Sequence, residues 1–259
     1  MDVDYVLDLR DDNRVEGGVD PKRELDKFDP LYYHPRGRAS VDRKLWNAAQ
    51  DGDEDRVSRQ LRNLGVEVDW TDEEHYTALH AAAGNGHTPV VTLLMDAGWS
   101  VEARTRSGYT PLALATQDGH LETVKCILSR GAQIDAQGHS KNTSLHEASM
   151  CDQSSLLRLL LQCGANQKIR NQEGKIAEEY AGNDEIKEVF REFNEKGLKN
   201  QVEFLKQAIW EENYDVALIL ILQGVKLELE GSETFENLVQ ISKKTKLLDD
   251  DHVKVISSY

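Results

Sequence analysis

The sequence predicts an all-α solenoid in which short helix–turn–helix units stack side by side, and three observations carry that reading. Thr77, Thr110 and Thr143 stand 33 residues apart, and Gly98, Gly131 and Gly164 repeat the same interval. Between those markers, residues such as Val124, Ile127 and Leu128 recur at helical spacing. One unit therefore repeats in fixed register, and a unit this short buries its apolar face only against its neighbours. Function in such an architecture belongs to the surface of the stack, not to a deep pocket.

The clearest unit opens at Ser107-Gly108-Tyr109-Thr110-Pro111-Leu112-Ala113-Leu114-Ala115. Thr110 is placed to accept a backbone N–H as an N-cap, and Pro111 at the first helical position gives up a donor that had no partner. Leu112 and Ala115 fall on one face, where the small alanine permits close approach of the next helix. Gly119 supplies a turn conformation costly for other residues. A second helix follows, with Val124, Ile127 and Leu128 as its buried stripe and Gly131 at the left-handed C-terminal cap.

These residues resemble the ankyrin repeat, whose pattern runs G-x-T-P-L-H-x-A-A-x-x-G-H and closes with L-L-x-x-G-A. The preceding unit, Thr77-Ala78-Leu79-His80-Ala81-Ala82-Ala83 with Gly86-His87, Val91, Leu94 and Gly98, lacks only the proline. The following unit has Thr143-Ser144-Leu145-His146-Glu147-Ala148, Leu157, Leu160, Leu161 and Gly164, with Asp152-Gln153 in place of Gly-His, which predicts a strained or remodelled inner turn. The resemblance implies β-turn fingers joining successive units.

Upstream, Leu45 to Ala49, Gly52, Val57, Leu61 and Gly65 read as an N-terminal cap unit without the Thr-Pro opening. Downstream, Gly174-Lys175-Ile176-Ala177 holds the frame through Ala181, Phe190 and Phe193 to Gly197, with Glu178 at the usual leucine position. Ala208, Ala217, Leu220, Ile221 and Gly224 keep the offsets of a further helix pair whose finger is missing, with Glu212 at the inner glycine. The expected divisions are an irregular or disordered segment over 1–40, ankyrin units over 41–198, and a degenerate helix pair with a divergent helical C-terminal cap over 199–259. That cap reads as a short strand-like run, Val225 to Leu229, and a helix from Glu233 to Leu248. Within the first segment, Phe28-Asp29-Pro30-Leu31-Tyr32-Tyr33-His34-Pro35 concentrates aromatics and is expected to pack on the first unit or to serve as a recognition motif.

Composition narrows the function. A formal charge of −15 counts against phosphate-backbone binding and suits steering toward a basic protein surface. The longest purely apolar run, Val216 to Leu222, is far short of the roughly 20 residues that cross a bilayer. The first residues have no secretory h-region, and Cys126, Cys151 and Cys163 have neither metal nor redox spacing, which points to the cytosol or nucleus. His80 and His146 occupy the T-x-L-H position and His87 and His120 the Gly-His position, so a structural role is expected for them and no metal ion. No nucleophile elbow, phosphate loop or H-E-x-x-H motif occurs, so neither a catalytic residue nor a cofactor is expected.

The resemblance implies that a partner protein binds the concave side, built from finger tips and first helices, with the chain serving as adaptor, scaffold or inhibitor. Position by position it nominates Glu73, Glu74 and Tyr76, then Arg106, Ser107 and Tyr109, then Ser140 and Asn142 on the fingers. Before the inner turns it nominates Asn85, Gln117, Asp118, Met150 and Cys151. Tyr76 and Tyr109 lead, because exposed tyrosines on rigid supports add contact area at small entropic cost. Two other readings stand beside this one: an autoinhibited regulator whose aromatic N-terminal segment fills the groove, and an enzyme using the C-terminal region. Trp70 and Trp99, near junctions between units, are expected in the core.

Overall fold

Helices begin where the sequence supplies caps. A computed structural model describes residues 41–62, 66–68, 70–196, 200–211 and 213–224, and these contain eleven α-helices and no extended strand. Four hairpins come first: α1 (Val41–Gln50) with α2 (Glu54–Leu61), α3 (Ala78–Gly84) with α4 (Thr88–Asp96), α5 (Pro111–Gln117) with α6 (Leu121–Ser129), and α7 (Ser144–Met150) with α8 (Ser154–Gln162). Thr77, Thr110 and Thr143 are the N-caps of α3, α5 and α7, and Pro111 is the first residue of α5. In the first and third of these, His80 and His146 complete a reciprocal cap by accepting the threonine N–H at Nδ1.

The first helices α1, α3, α5 and α7 pack in order as one row, and α2, α4 and α6 form a second row behind them. Between the rows lie Leu79, Leu94, Leu112, Val124, Ile127, Leu128, Leu145, Leu157 and Leu160, each at most 1% exposed. Each such leucine contributes about 1.5–3 kcal/mol through burial. Cys163 and Trp99 join this core, while Trp70 is half-buried under the Arg43 guanidinium at 5.8 Å.

The inner turn joins one unit to the next. Gly86 adopts φ +72°, and a Cβ there would stand 2.5 Å from the His120 ring. That ring belongs to the following unit, and its Nε2 bonds the Gly84 carbonyl at 2.8 Å. His87 does the same to Gln50 at 3.0 Å. The glycine thus gives room to the next unit's histidine as well as tolerating the left-handed turn. Asp152, in the unit that lacks Gly-His, holds φ +54° despite its side chain. Its carboxylate accepts a bond of 2.8 Å from Asn183, the residue before α9 (Asp184–Lys196), so a small amide stands where a histidine ring would need a glycine.

In the fifth unit Ile176 cannot cap as threonine does, and Glu178 is exposed at the leucine position. The first helix shrinks there to a 3-10 turn, Ala177–Tyr180, and α9 starts early to compensate. Phe190 remains fully buried.

Residues 199–224 read from the sequence as a degenerate helix pair without a finger, its helices following almost directly on the fifth unit. A helix pair does follow, α10 (Asn200–Trp210) and α11 (Tyr214–Leu222), but α11 packs against α6. Gln223 Nε2 donates to the Ala132 carbonyl at 3.3 Å, and Phe204 stacks on Phe193 with centroids 5.7 Å apart. Without finger residues α10 has no turn to carry it into the row of first helices. Val216 to Leu220, all buried, make α11 apolar on every side and in need of more than one neighbour. The expectations for 1–40, Gly65, Gly197, Glu212 and 225–259 lie outside the described residues.

Candidate partner-binding face

The 33-residue register turns sequence positions into columns across the row of first helices. Just before the helix stand Tyr76, Tyr109, Asn142 and Lys175; further along stand Ala81, Leu114, Glu147 and Tyr180; at the helix ends stand Asn85, Asp118 and Cys151.

The fingers themselves are closed by backbone bonds in the same register. Thr105 N donates to the Tyr109 carbonyl at 3.0 Å, Gly138 to Asn142 at 2.7 Å and Asn171 to Lys175 at 2.9 Å. Neighbouring fingers are tied together, with Arg106 N to the Glu74 carbonyl at 2.7 Å and Gln172 N to Ser140 at 2.8 Å. The Arg106 guanidinium also pairs with Glu74 at 3.2 Å, and His139 reaches the Ser107 carbonyl at 3.2 Å. A row of fingers cross-linked in this way orders few groups when something binds it.

Of the nominated residues, Glu73, Glu74, Asn85, Arg106, Ser107, Asp118 and Met150 are exposed. Gln117, Ser140 and Cys151 are half-buried. Tyr76 and Tyr109 are less open than an exposed finger-tip tyrosine. Tyr76 packs on Trp46 and His80, with ring centroids 6.4 and 5.3 Å away, and burial first, then the Asp118 and Asp72 charges, push its phenol pKa upward. Tyr109 stacks on His139 at 5.1 Å, and burial, then Glu147 and Cys151, raise its phenol pKa. Asn142 departs further from expectation, because it is buried and its amide is committed inside the protein. Its Nδ2 donates to Glu147 Oε1 at 3.1 Å, and its Oδ1 accepts from Asn171 at 2.9 Å. A side chain so occupied supports the fingers and is not free for a partner.

Residues 45–138 and 108–173 match the family model described as ankyrin repeats in three copies. The chain belongs to the ankyrin repeat family. It is 35% identical over 60 residues to an ankyrin repeat-containing protein of Schizosaccharomyces pombe, covering 23% of this chain and 28% of that one. It is 38% identical over 64 residues to ankyrin repeat domain-containing protein 39 of Homo sapiens, covering 25% of this chain and 34% of that one. The chain thus matches about a third or less of each relative's length.

Within the ankyrin stack the histidines hold units together. His80 Nε2 lies 3.2 Å from the Ala103 carbonyl and 3.1 Å from that of Tyr109, and His146 Nε2 lies 3.1 Å from that of Lys175. All three contacts are with acceptors, so Nε2 carries the proton in each ring and Nδ1 is left to accept from the cap. Burial lowers the His80 pKa to about 4. Among the described residues no group of His, Cys, Asp and Glu is arranged to hold a metal ion.

Glu147 is the inner-face residue that sequence reasoning passed over. It is 4% exposed, and no lysine, arginine or histidine of the described residues pairs with it. Burial raises its pKa, against the bond from Asn142 and the nearby His139. The signal was present in the sequence, since Glu147 stands in the column where neighbouring units carry Ala81 and Leu114.

Proposed function

We propose that this chain is a non-enzymatic interaction module that takes a partner protein on the face made by its fingers and first helices, acting as adaptor, scaffold or inhibitor. The observation that carries the reading is the cross-linked row of fingers beside exposed Met150 and Asp118, a preformed surface with apolar and polar contact points together. A basic partner surface fits the acidic balance of the chain, and three free thiols suit the cytosol or nucleus. Tyr76 is too deeply packed to be the first substitution, so the test uses Met150→Asp with Gln117→Ala. Partners crosslinked to the wild-type chain are expected to be lost from that variant and kept by Lys187→Asp on α9. A partner retained by the inner-face variant and lost from the α9 variant would remove the assignment.

A further inference from the structure

Among charged groups of the inner face, Glu147 is out of balance. Glu74 has Arg106, and Glu173 has Lys175 at 2.8 Å, but Glu147 holds only the neutral amide of Asn142. A carboxylate nine-tenths buried without a cation is expensive to keep ionised, and a site that keeps one is often a site that something else completes.

Its surroundings show what would complete it. Met150, 47% exposed, lies over the same amide, its sulfur accepting from Asn142 Nδ2 at 3.6 Å. Methionine is unbranched and readily changes rotamer, so it can move aside and then cover an aliphatic stem. Tyr109 and Cys151 flank the carboxylate closely enough for its charge to raise both of their pKa values, and Asp118 and Asp152 add to the effect at Cys151. A buried carboxylate and an exposed methionine that share one amide are together the counterpart of a long side chain ending in a cation.

Resting on the inner-face reading above, we propose that the partner docks through an arginine or lysine side chain that enters between the third and fourth units, displaces Met150 and pairs with Glu147. The stem packs on Met150 and Tyr109, and the cationic head replaces the missing counter-charge.

Two measurements test this. The first needs no partner: Met150→Arg places a guanidinium within reach of Glu147 and is expected to raise the melting midpoint by about 2 to 4 °C. The gain should vanish in the Glu147→Gln background, which keeps an acceptor for Asn142 and therefore folds. An equal effect of Met150→Arg in both backgrounds overturns the proposal. The second pans a phage library of random peptides on the wild-type chain. The expected binders share one basic residue, lose at least tenfold in affinity on Glu147→Gln, and show non-multiplicative losses when that residue is also changed to alanine. Binders lost on Met150→Arg but lacking a basic residue, or indifferent to Glu147→Gln, overturn the cationic anchor and leave the inner face standing. Binders indifferent to Met150→Arg, or a library that yields none, count against the inner face itself and the anchor with it.

Discussion

Acidification should loosen the stack through His80, and the size of the effect follows from its geometry. The ring is fully buried, with Nε2 donating to the Ala103 and Tyr109 carbonyls and Nδ1 accepting from Thr77 N–H and hydroxyl at 3.2 and 2.8 Å. A second proton would have to sit on Nδ1, facing the Thr77 N–H, on a ring with no exposed surface. Burial accordingly lowers the pKa to about 4 from the ordinary 6.5. The unfolded chain therefore takes up the proton first. Stability from neutral His80 is fully present above about pH 6.5 and is lost as pH falls toward 4. With 1.36 kcal/mol per unit, the loss is about 2 kcal/mol at pH 5 and about 3 kcal/mol at pH 4. His146, lowered by burial too, adds loss of the same sign. Asp118, Asp135 and Glu147 act oppositely: burial raises their pKa values, so their folded forms gain relative stability as they are protonated. The histidine contribution is isolated by comparing urea unfolding of wild type and His80→Gln, since glutamine at the third helical position preserves the reciprocal cap. The difference in stability between the two should shrink by about 2 kcal/mol between pH 7 and pH 5. Parallel pH curves would refute the burial argument.

Gly86→Ala should cost about 2 kcal/mol or more, because a Cβ would meet the His120 ring at 2.5 Å as well as straining φ +72°. Gly131→Ala, equally left-handed but with nothing within 4 Å of its Cβ, should cost only about 1 kcal/mol in the same denaturation assay. Tyr76→Ala should lower stability by about 2–3 kcal/mol, since the ring fills space between Trp46 and His80; an unchanged melting midpoint would restore it to the exposed class. Cys163 is buried with its pKa pushed up to about 12, so a thiol reagent near pH 8 should label it only on unfolding. Leu220→Ala in α11 should cost about 3 kcal/mol and speed amide exchange in α6 and α11 together.

The units were legible because each marker residue answers a backbone requirement that does not depend on distant chain. Thr110 caps, Pro111 begins a helix, Gly86 turns, and Val124 with Ile127 and Leu128 faces inward, all from local rules. The same rules flagged Asp152 and Glu178 as departures, and both positions are altered in the fold. The exposure of site residues was less legible, because it depends on what neighbouring units place alongside. Tyr109 looks identical whether it is open or stacked on His139, a contact made across 30 residues of sequence. Asn142 looks like any finger polar residue until Asn171 of the next unit and Glu147 of its own occupy its amide.

The placement of α10 and α11 was illegible for a different reason, and that placement bears on recognition. Periodicity specifies the spacing of apolar positions along a helix, but α11 carries Val216, Ala217, Leu218, Ile219 and Leu220 in succession, so it has no polar side to set its orientation. Such a helix needs more than one neighbour, and here it packs against both α10 and α6, beside a cavity of about 270 Å³ bordered by α8 and α9. The consequence is an asymmetry between the two faces of the stack. On the outer row the chain has used its own apolar helix to cover part of the surface. On the inner row Met150 stays exposed and Glu147 stays without a cation, so the side of the fingers keeps a physical demand that a partner can meet.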